Sequence, residues 1–235
     1  MVVKAVGLDF FGTIVQANAD SETCIRSMYD HLRGCGHAFS YEEFVLNYRA
    51  AVSEFRKTRN EQLREVNNCV WVASTLERMG QKVEPSHPSV VRTVESYFGP
   101  WQITLMPDAL DVLKELKSMF TVSLVSNFTD SAFIRRCLKR LGIEECFAHV
   151  VVSDSVGWRK PHPNIFKVFL DLSHAMPDEA VYIGDELATD IKGARSMGIK
   201  TVLLGKEDAK YVQEDRPDYV VHSLTEFKEL LVKIS

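Results

Sequence analysis

The chain has 235 residues, 46% of them hydrophobic, and a formal net charge of -4 with a pI near 6.0. That length allows one large core or two modest ones, and the acidic balance gives no general attraction to nucleic acid or an anionic membrane. Apolar runs such as Thr121 to Val125 are too short to span a bilayer, and the stretch from Met1-Val2-Val3-Lys4 lacks the charged start, long apolar run and small-residue cleavage site expected of a signal peptide. A cytoplasmic protein is expected, with no nucleic-acid or membrane partner. The five cysteines, Cys24, Cys35, Cys69, Cys137 and Cys146, show no CxxC pair or metal spacing. They read as buried or partly buried reduced thiols.

The first apolar run, Val2 to Leu8, predicts a buried strand that delivers Asp9-Phe10-Phe11-Gly12-Thr13 to the carboxyl edge of a sheet. Open α/β sheets bind their ligands at that edge. From Asp20 to about Phe98 the periodicity is helical and predicts no strand. Ile25, Met28, Tyr29 and Leu32 share one face. Ser40 with Glu43 reads as a capping box ahead of a long stripe from Phe44 to Phe55. A third helix runs from about Val70 to Met79 and stops at Gly80, and a fourth spans Pro88 to Phe98.

From Trp101 the pattern changes to strands alternating with helices. Strands are expected at Thr121–Val125, Phe147–Val152, Ala180–Ile183, Thr201–Leu204 and near Tyr219–Val221. Helices are expected at Ser131–Leu141, Pro163–Leu172, Ala188–Met197 and Ser223–Ile234. Apolar strands separated by helices imply a Rossmann-like parallel sheet covered on both faces. The expected organisation is an α/β core of residues 1–15 and 104–235, with an all-helical cap of residues 16–103 inserted after the first strand. Crossings near Val15–Ala19 and Gly99–Thr104 form a two-segment hinge, which suits a lid over a site at the strand ends.

Residues that follow parallel strands share one rim. They are Asp9, then Ser126-Asn127, then Lys160 beyond a loop from Ser153 to Arg159, and finally Gly184-Asp185-Glu186 with Asp190. A carboxylate, a hydroxyl, an ammonium and an acidic cluster are suited to attack an electrophile that carries negative charge. Close carboxylates raise one another's pKa and blunt a nucleophile, so the surplus over Lys160 points to a hard divalent cation. The histidines His87, His149, His162, His174 and His222 have no ligand spacing and read as surface or structural residues.

Four stretches in this order carry a resemblance: DFFGTI at Asp9–Ile14, LVSN at Leu124–Asn127, GWRKPHPNIF at Gly157–Phe166 and IGDELATDIKGA at Ile183–Ala194. The chain resembles the haloacid dehalogenase superfamily, in a form with a helical cap after the first strand. The resemblance implies a hydrolase with Asp9 as nucleophile and Lys160 as the catalytic cation. It implies that Thr13, Ser126 and Asn127 orient or bind the anion, with Asn127 equally suited to loop support. Mg²⁺ would be held by Asp9, the main-chain carbonyl of Phe11 and Asp185, with Asp190 supporting through water or a hydrogen bond. Arg159 reads as a surface or cap-facing charge. The expected partner is a small anionic substrate, a phosphoester or a haloacid, bound by a monomer or homodimer.

One position departs from the pattern. Phosphatases of the resembled family carry a second aspartate where this chain has Phe11, and general acid–base groups are typically worth ~10² to 10⁴ in rate. Three readings follow. The first is a Mg²⁺-dependent hydrolase of small phosphorylated metabolites that uses another acid (His31, His37 or Glu54 are candidates) or a substrate with a good leaving group. The second is a metal-free 2-haloacid dehalogenase, because halide leaves without a proton. Against it stand the acidic pair Asp185 and Asp190, Phe166 where a tyrosine is usual, and the absence of a firm cap arginine, Arg33 and Arg49 being the options. The third is a weakly active or inactive member that keeps the anion pocket for binding.

Overall fold

The computed structural model describes residues 2–205 and 216–235. Its contacts divide the chain into two units, Met1–Gln16 with Ile103–Ser235, and Ala17–Gln102.

The first unit is α/β. Among the described residues it has a six-stranded sheet in the order β5-β4-β1-β6-β7-β8. The strands are β1 (Ala5–Leu8), β4 (Thr121–Ser126), β5 (His149–Val152), β6 (Ala180–Gly184), β7 (Lys200–Leu204) and β8 (Tyr219–Val221). Every neighbouring pair is parallel. The sheet is built outward from β1 in both directions, so its switch point lies between β1 and β6. Each residue of β1 is buried. Ala5, Val125 and Tyr182 pack in one cluster with Ile165, Phe166 and Phe169 of α8 (Pro163–Ser173). Their strand neighbours Val6, Leu124 and Ile183 are equally buried, so both faces of the sheet are covered.

Two short strands, β2 (Val15–Asn18) and β3 (Gln102–Leu105), form a two-stranded ribbon at the crossings. Each buries a single residue, Val15 in β2 and Ile103 in β3, so neither shows the apolar run of a sheet strand. The helical unit contains α1 (Ser21–Gly34), α2 (Tyr41–Gln62), α3 (Asn68–Arg78) and α4 (Pro88–Phe98). Here α1 packs on α4 and α2 on α3. Asp20 caps α1 by accepting the Thr23 N–H at 2.8 Å, and the Ser40 hydroxyl accepts the Glu43 N–H at 3.1 Å. The rings of Phe39, Phe44 and Tyr48 stack at 5.9 Å spacings inside the unit.

The structure adds α5 (Ala109–Met119) to the expected elements, with Ala109, Val112, Leu113 and Leu116 buried at helical spacing. The segment expected as a loop after β5 contains a one-turn helix, α7 (Ser153–Val156), which follows α6 (Ser131–Arg140). The helix expected from Ala188 begins as a π-turn over Leu187–Ile191 and continues as α9 (Lys192–Ser196). The wider turn lets the Glu186 carbonyl accept N–H groups from both Asp190 and Ile191, and π-turns of this kind recur at functional sites. A last helix, α10 (Leu224–Ile234), closes the chain. One cysteine differs from expectation: Cys24, Cys137 and Cys146 are buried and Cys69 intermediate, but Cys35 is exposed. It lies just beyond the end of α1, where the chain turns through Gly36 with φ of +93°. No described helix is long and apolar enough to cross a membrane.

Candidate active site

Asp9 is the first residue beyond β1, and its N–H continues the ladder by donating to the Ile183 carbonyl at 3.0 Å. The chain then turns back at once. The Phe10 carbonyl accepts from Ile14 at 2.9 Å and Val15 at 3.0 Å, and Gly12 donates to the Val15 carbonyl at 2.8 Å. Gly12 has φ of +82°, and a Cβ there would lie 2.1 Å from an Asp185 carboxylate oxygen. Only glycine permits both the turn and that approach. Gly184 has the same steric role for Asp190, whose carboxyl carbon would lie 2.3 Å from an added Cβ.

Lys160 joins the rim from the loop before α8 and is 3% exposed. Its ammonium donates to Asp9 Oδ1 at 2.5 Å, the Val125 carbonyl at 3.0 Å and the Tyr182 hydroxyl at 3.0 Å, and lies 2.7 Å from Asp190 Oδ1. Asn127 fixes the lysine's backbone: its amide donates to the Lys160 carbonyl at 2.9 Å, and its side-chain oxygen accepts the Lys160 N–H at 2.7 Å. Both of its amide groups are therefore engaged in supporting the loop. The second carboxylate oxygen of Asp190 accepts the Glu186 N–H at 3.1 Å.

Asp9, Asp185 and Asp190 each present a carboxylate oxygen within 4.8 Å of the others. Burial lifts Asp9 to about 7, with a further push from Asp190 and against the pull of Lys160. Burial also raises Asp185, and Asp190 adds to it. For Lys160, burial alone would lower the pKa, but Asp190 and Asp9 outweigh it and hold the group above its ordinary value. Two buried carboxylates on one ammonium, with the exposed carboxylate of Asp185 beside them, leave a surplus of negative charge at the site. Oxygen donors gathered with that surplus fit a small hard divalent cation.

Ser126 ends β4 and is 1% exposed, in register with Val152 of β5. Thr13 is wholly buried, and its hydroxyl lacks a hydrogen-bond partner among the described residues. Phe11 is half-buried, with its ring 4.8 Å from Phe10 and 5.2 Å from Phe128. Tyr182 is the residue that sequence reasoning missed. Its buried hydroxyl contacts the Val125 carbonyl at 3.1 Å and Asp190 at 3.2 Å, and burial with both carboxylates pushes its pKa well above the phenol range. In an all-buried strand a tyrosine reads as core. The available signal was its need for a polar partner.

Phe166 is fully buried and meets the Tyr182 ring edge-on at 5.2 Å, a core contact. The candidate replacement acids have partners inside the helical unit: His31 with Cys35, His37 with Gln81, and Glu54 with Arg78. Arg33 donates to the His37 carbonyl at 2.9 Å. Arg49 lines a cavity of about 750 Å³ within the helical unit, along with Arg56, Tyr48 and Trp71.

Residues 9–204 match the family model for haloacid dehalogenase-like hydrolases. The chain belongs to this family. A family relative, the glyceraldehyde 3-phosphate phosphatase of Methanopyrus kandleri, is 30% identical over 100% of this chain and 99% of its own. The glyceraldehyde 3-phosphate phosphatase of Pyrococcus furiosus is 40% identical over 97 residues, a stretch that spans 39% of this chain and 40% of that relative. The crystal structure of a 2-haloacid dehalogenase from Pseudomonas syringae pv. tomato DC3000 superposes with a TM-score of 0.72 over 100% of both chains, at 20% identity. At that identity the likeness concerns the fold alone.

Proposed function

We propose that the chain is a phosphatase-type hydrolase of a small phosphorylated metabolite, with Asp9 as nucleophile and Mg²⁺ as cofactor. The observation that carries this reading is the group of Asp9, Asp185 and Asp190 within 4.8 Å around one lysine. Its negative surplus would repel any anionic substrate unless a cation offsets it. Asp9, the Phe11 carbonyl and Asp185 would hold the ion, with Asp190 behind them. When bound, Mg²⁺ offsets the surplus charge and polarises a phosphoryl oxygen.

The protein's own groups divide the remaining work. Asp9 attacks phosphorus and forms an aspartyl phosphate that water hydrolyses. Lys160 screens Asp9 from the incoming dianion and stabilises charge on the equatorial oxygens. Ser126 and Thr13 are proposed as hydroxyl donors to the phosphoryl group, and the unpartnered buried Thr13 hydroxyl supports its part. Asn127 positions Lys160. The helical unit, inserted after β1, is proposed as the cap that selects the substrate.

Phe11 favours a second reading, hydrolysis of a carbon–halogen bond, because halide leaves unprotonated. A paired assay separates the two. Phosphate release that requires Mg²⁺ and is lost in Asp9→Asn supports the phosphatase, whereas chloride release from 2-chloropropionate that persists in EDTA replaces it with the dehalogenase.

A further inference from the structure

Tyr182 lies on β6 with its ring wholly buried, and the fold keeps space for that ring. It pairs in register with Gly7 of β1, where an added Cβ would sit 2.7 Å from Cδ2 of the tyrosine. A phenylalanine would fill the same space, so packing does not account for the hydroxyl. A buried hydroxyl persists where it finds polar partners. Here there are three: the Lys160 ammonium at 3.0 Å, the Val125 carbonyl at 3.1 Å and Asp190 Oδ1 at 3.2 Å.

Lys160 has three protons to donate. Four acceptors surround them: Asp9 Oδ1 at 2.5 Å, Asp190 Oδ1 at 2.7 Å, and the Val125 carbonyl and Tyr182 hydroxyl oxygen, each at 3.0 Å. The tyrosine adds a fourth proton, which it can give either to the Val125 carbonyl or to Asp190. In the resting cluster Lys160 alone can serve Asp9, Asp190 and Val125, so the hydroxyl proton is surplus there. The surplus matters when a phosphoryl oxygen arrives. Lys160 then turns one proton to the newcomer, and a buried acceptor that loses its donor is destabilising. We propose that Tyr182 is a positioning residue whose hydroxyl takes over the acceptor that Lys160 releases, the Val125 carbonyl or Asp190, so that the lysine serves the substrate without stranding a buried oxygen.

This inference rests on the phosphatase-type reading and extends it from groups that touch the substrate to one that acts through Lys160. No covalent bond changes in the switch. The ammonium keeps its three protons and the phenol its one, and only the direction of donation differs between the free and the occupied site. With phenylalanine at position 182, three protons would serve the free cluster fully. They would then face four acceptors once the phosphoryl oxygen joins Asp9, Asp190 and the Val125 carbonyl. The hydroxyl is thus dispensable for folding and needed for turnover.

The test compares the full-length parent with Tyr182→Phe, using para-nitrophenyl phosphate and Mg²⁺. The urea midpoint should stay at the parent's value while kcat/KM falls about 10- to 100-fold. In a Lys160→Met background the same substitution should cause no further loss, because no ammonium remains to be released from its acceptors. Coupling of that kind separates action through the lysine from a general loosening of the core. Inorganic phosphate with Mg²⁺ gives a readout without turnover: it should raise the thermal midpoint of the parent more than that of Tyr182→Phe. An unchanged kcat/KM, an equal loss with and without Lys160, or a drop in the urea midpoint that accompanies the loss of rate would each overturn the inference and leave the phosphatase reading standing. A parent that releases phosphate from no phosphoester would overturn the phosphatase reading itself, and this inference with it.

Discussion

Lys160 and Asp190 of the α/β unit are 3% and 1% exposed, while the Arg78–Glu54 pair of the helical unit has side chains 38% and 59% exposed. Both are ion pairs at close range, yet their energetics differ. The buried group is held by strand ends and hydrogen bonds, so removing one member strands the others in a low dielectric. The surface pair loses little when broken, because water replaces each partner. Burial thus makes the rim of the sheet sensitive to single charges, whereas an exposed pair such as Arg78–Glu54 is not.

The largest break in that contrast is chemical. Asp9→Asn should lower phosphate release about 10⁴-fold or more while unfolding remains cooperative, and retention of even a tenth of the rate would remove Asp9 from the mechanism. Next come two substitutions of similar cost and different character. Lys160→Met should destabilise the protein by about 3–5 kcal/mol in urea, with Mg²⁺ recovering part of the loss. Phe44→Ala, at a fully buried ring of α2, should cost about 3–5 kcal/mol regardless of metal. If Lys160→Met proves neutral, the buried cluster is not coupled as described.

Mg²⁺ itself should stabilise the fold by about 2.7 kcal/mol at a hundred times its Kd, and calorimetry should find this stabilisation lost in Asp185→Asn. A smaller signal is expected with pH in EDTA. Burial raises Asp9 from 3.8 to about 7, so between those values the folded state holds a proton that the unfolded state has released. Stability from this group is complete below 3.8 and declines as pH rises through 7. The difference between the parent and Asp9→Asn should show that downward slope, and an upward or flat difference would contradict it. Arg78→Ala should change stability by less than about 1 kcal/mol.

Much of this was readable from local signals. The alternation of apolar strands with helices exposed the parallel sheet, and the polar residues after each strand marked the rim, since a parallel sheet collects those positions on one edge. What escaped were features without a local signature. Strands β2 and β3 bury only Val15 and Ile103 and so lack the apolar run that marks the strands of the main sheet, and the π-turn before α9 is indistinguishable in sequence from an ordinary helical start. The role of Asn127 was open between substrate and loop because its partner, the Lys160 backbone, lies 33 residues away.

By itself, then, the sequence determined the fold class and the order of the strands' contributions to the rim, both properties of neighbouring residues and their spacing, while the family resemblance marked Phe11 as standing where an acid is usual. Tertiary structure alone decided that Lys160 is enclosed by Asp9, Asp190 and Tyr182, that glycine at position 12 admits Asp185, and that Phe11 continues into a wall of rings. Charges and rings drawn from distant segments acquire their pKa shifts and packing only when the sheet brings them together, because desolvation and Coulomb energy depend on distances in space that no spacing along the chain records.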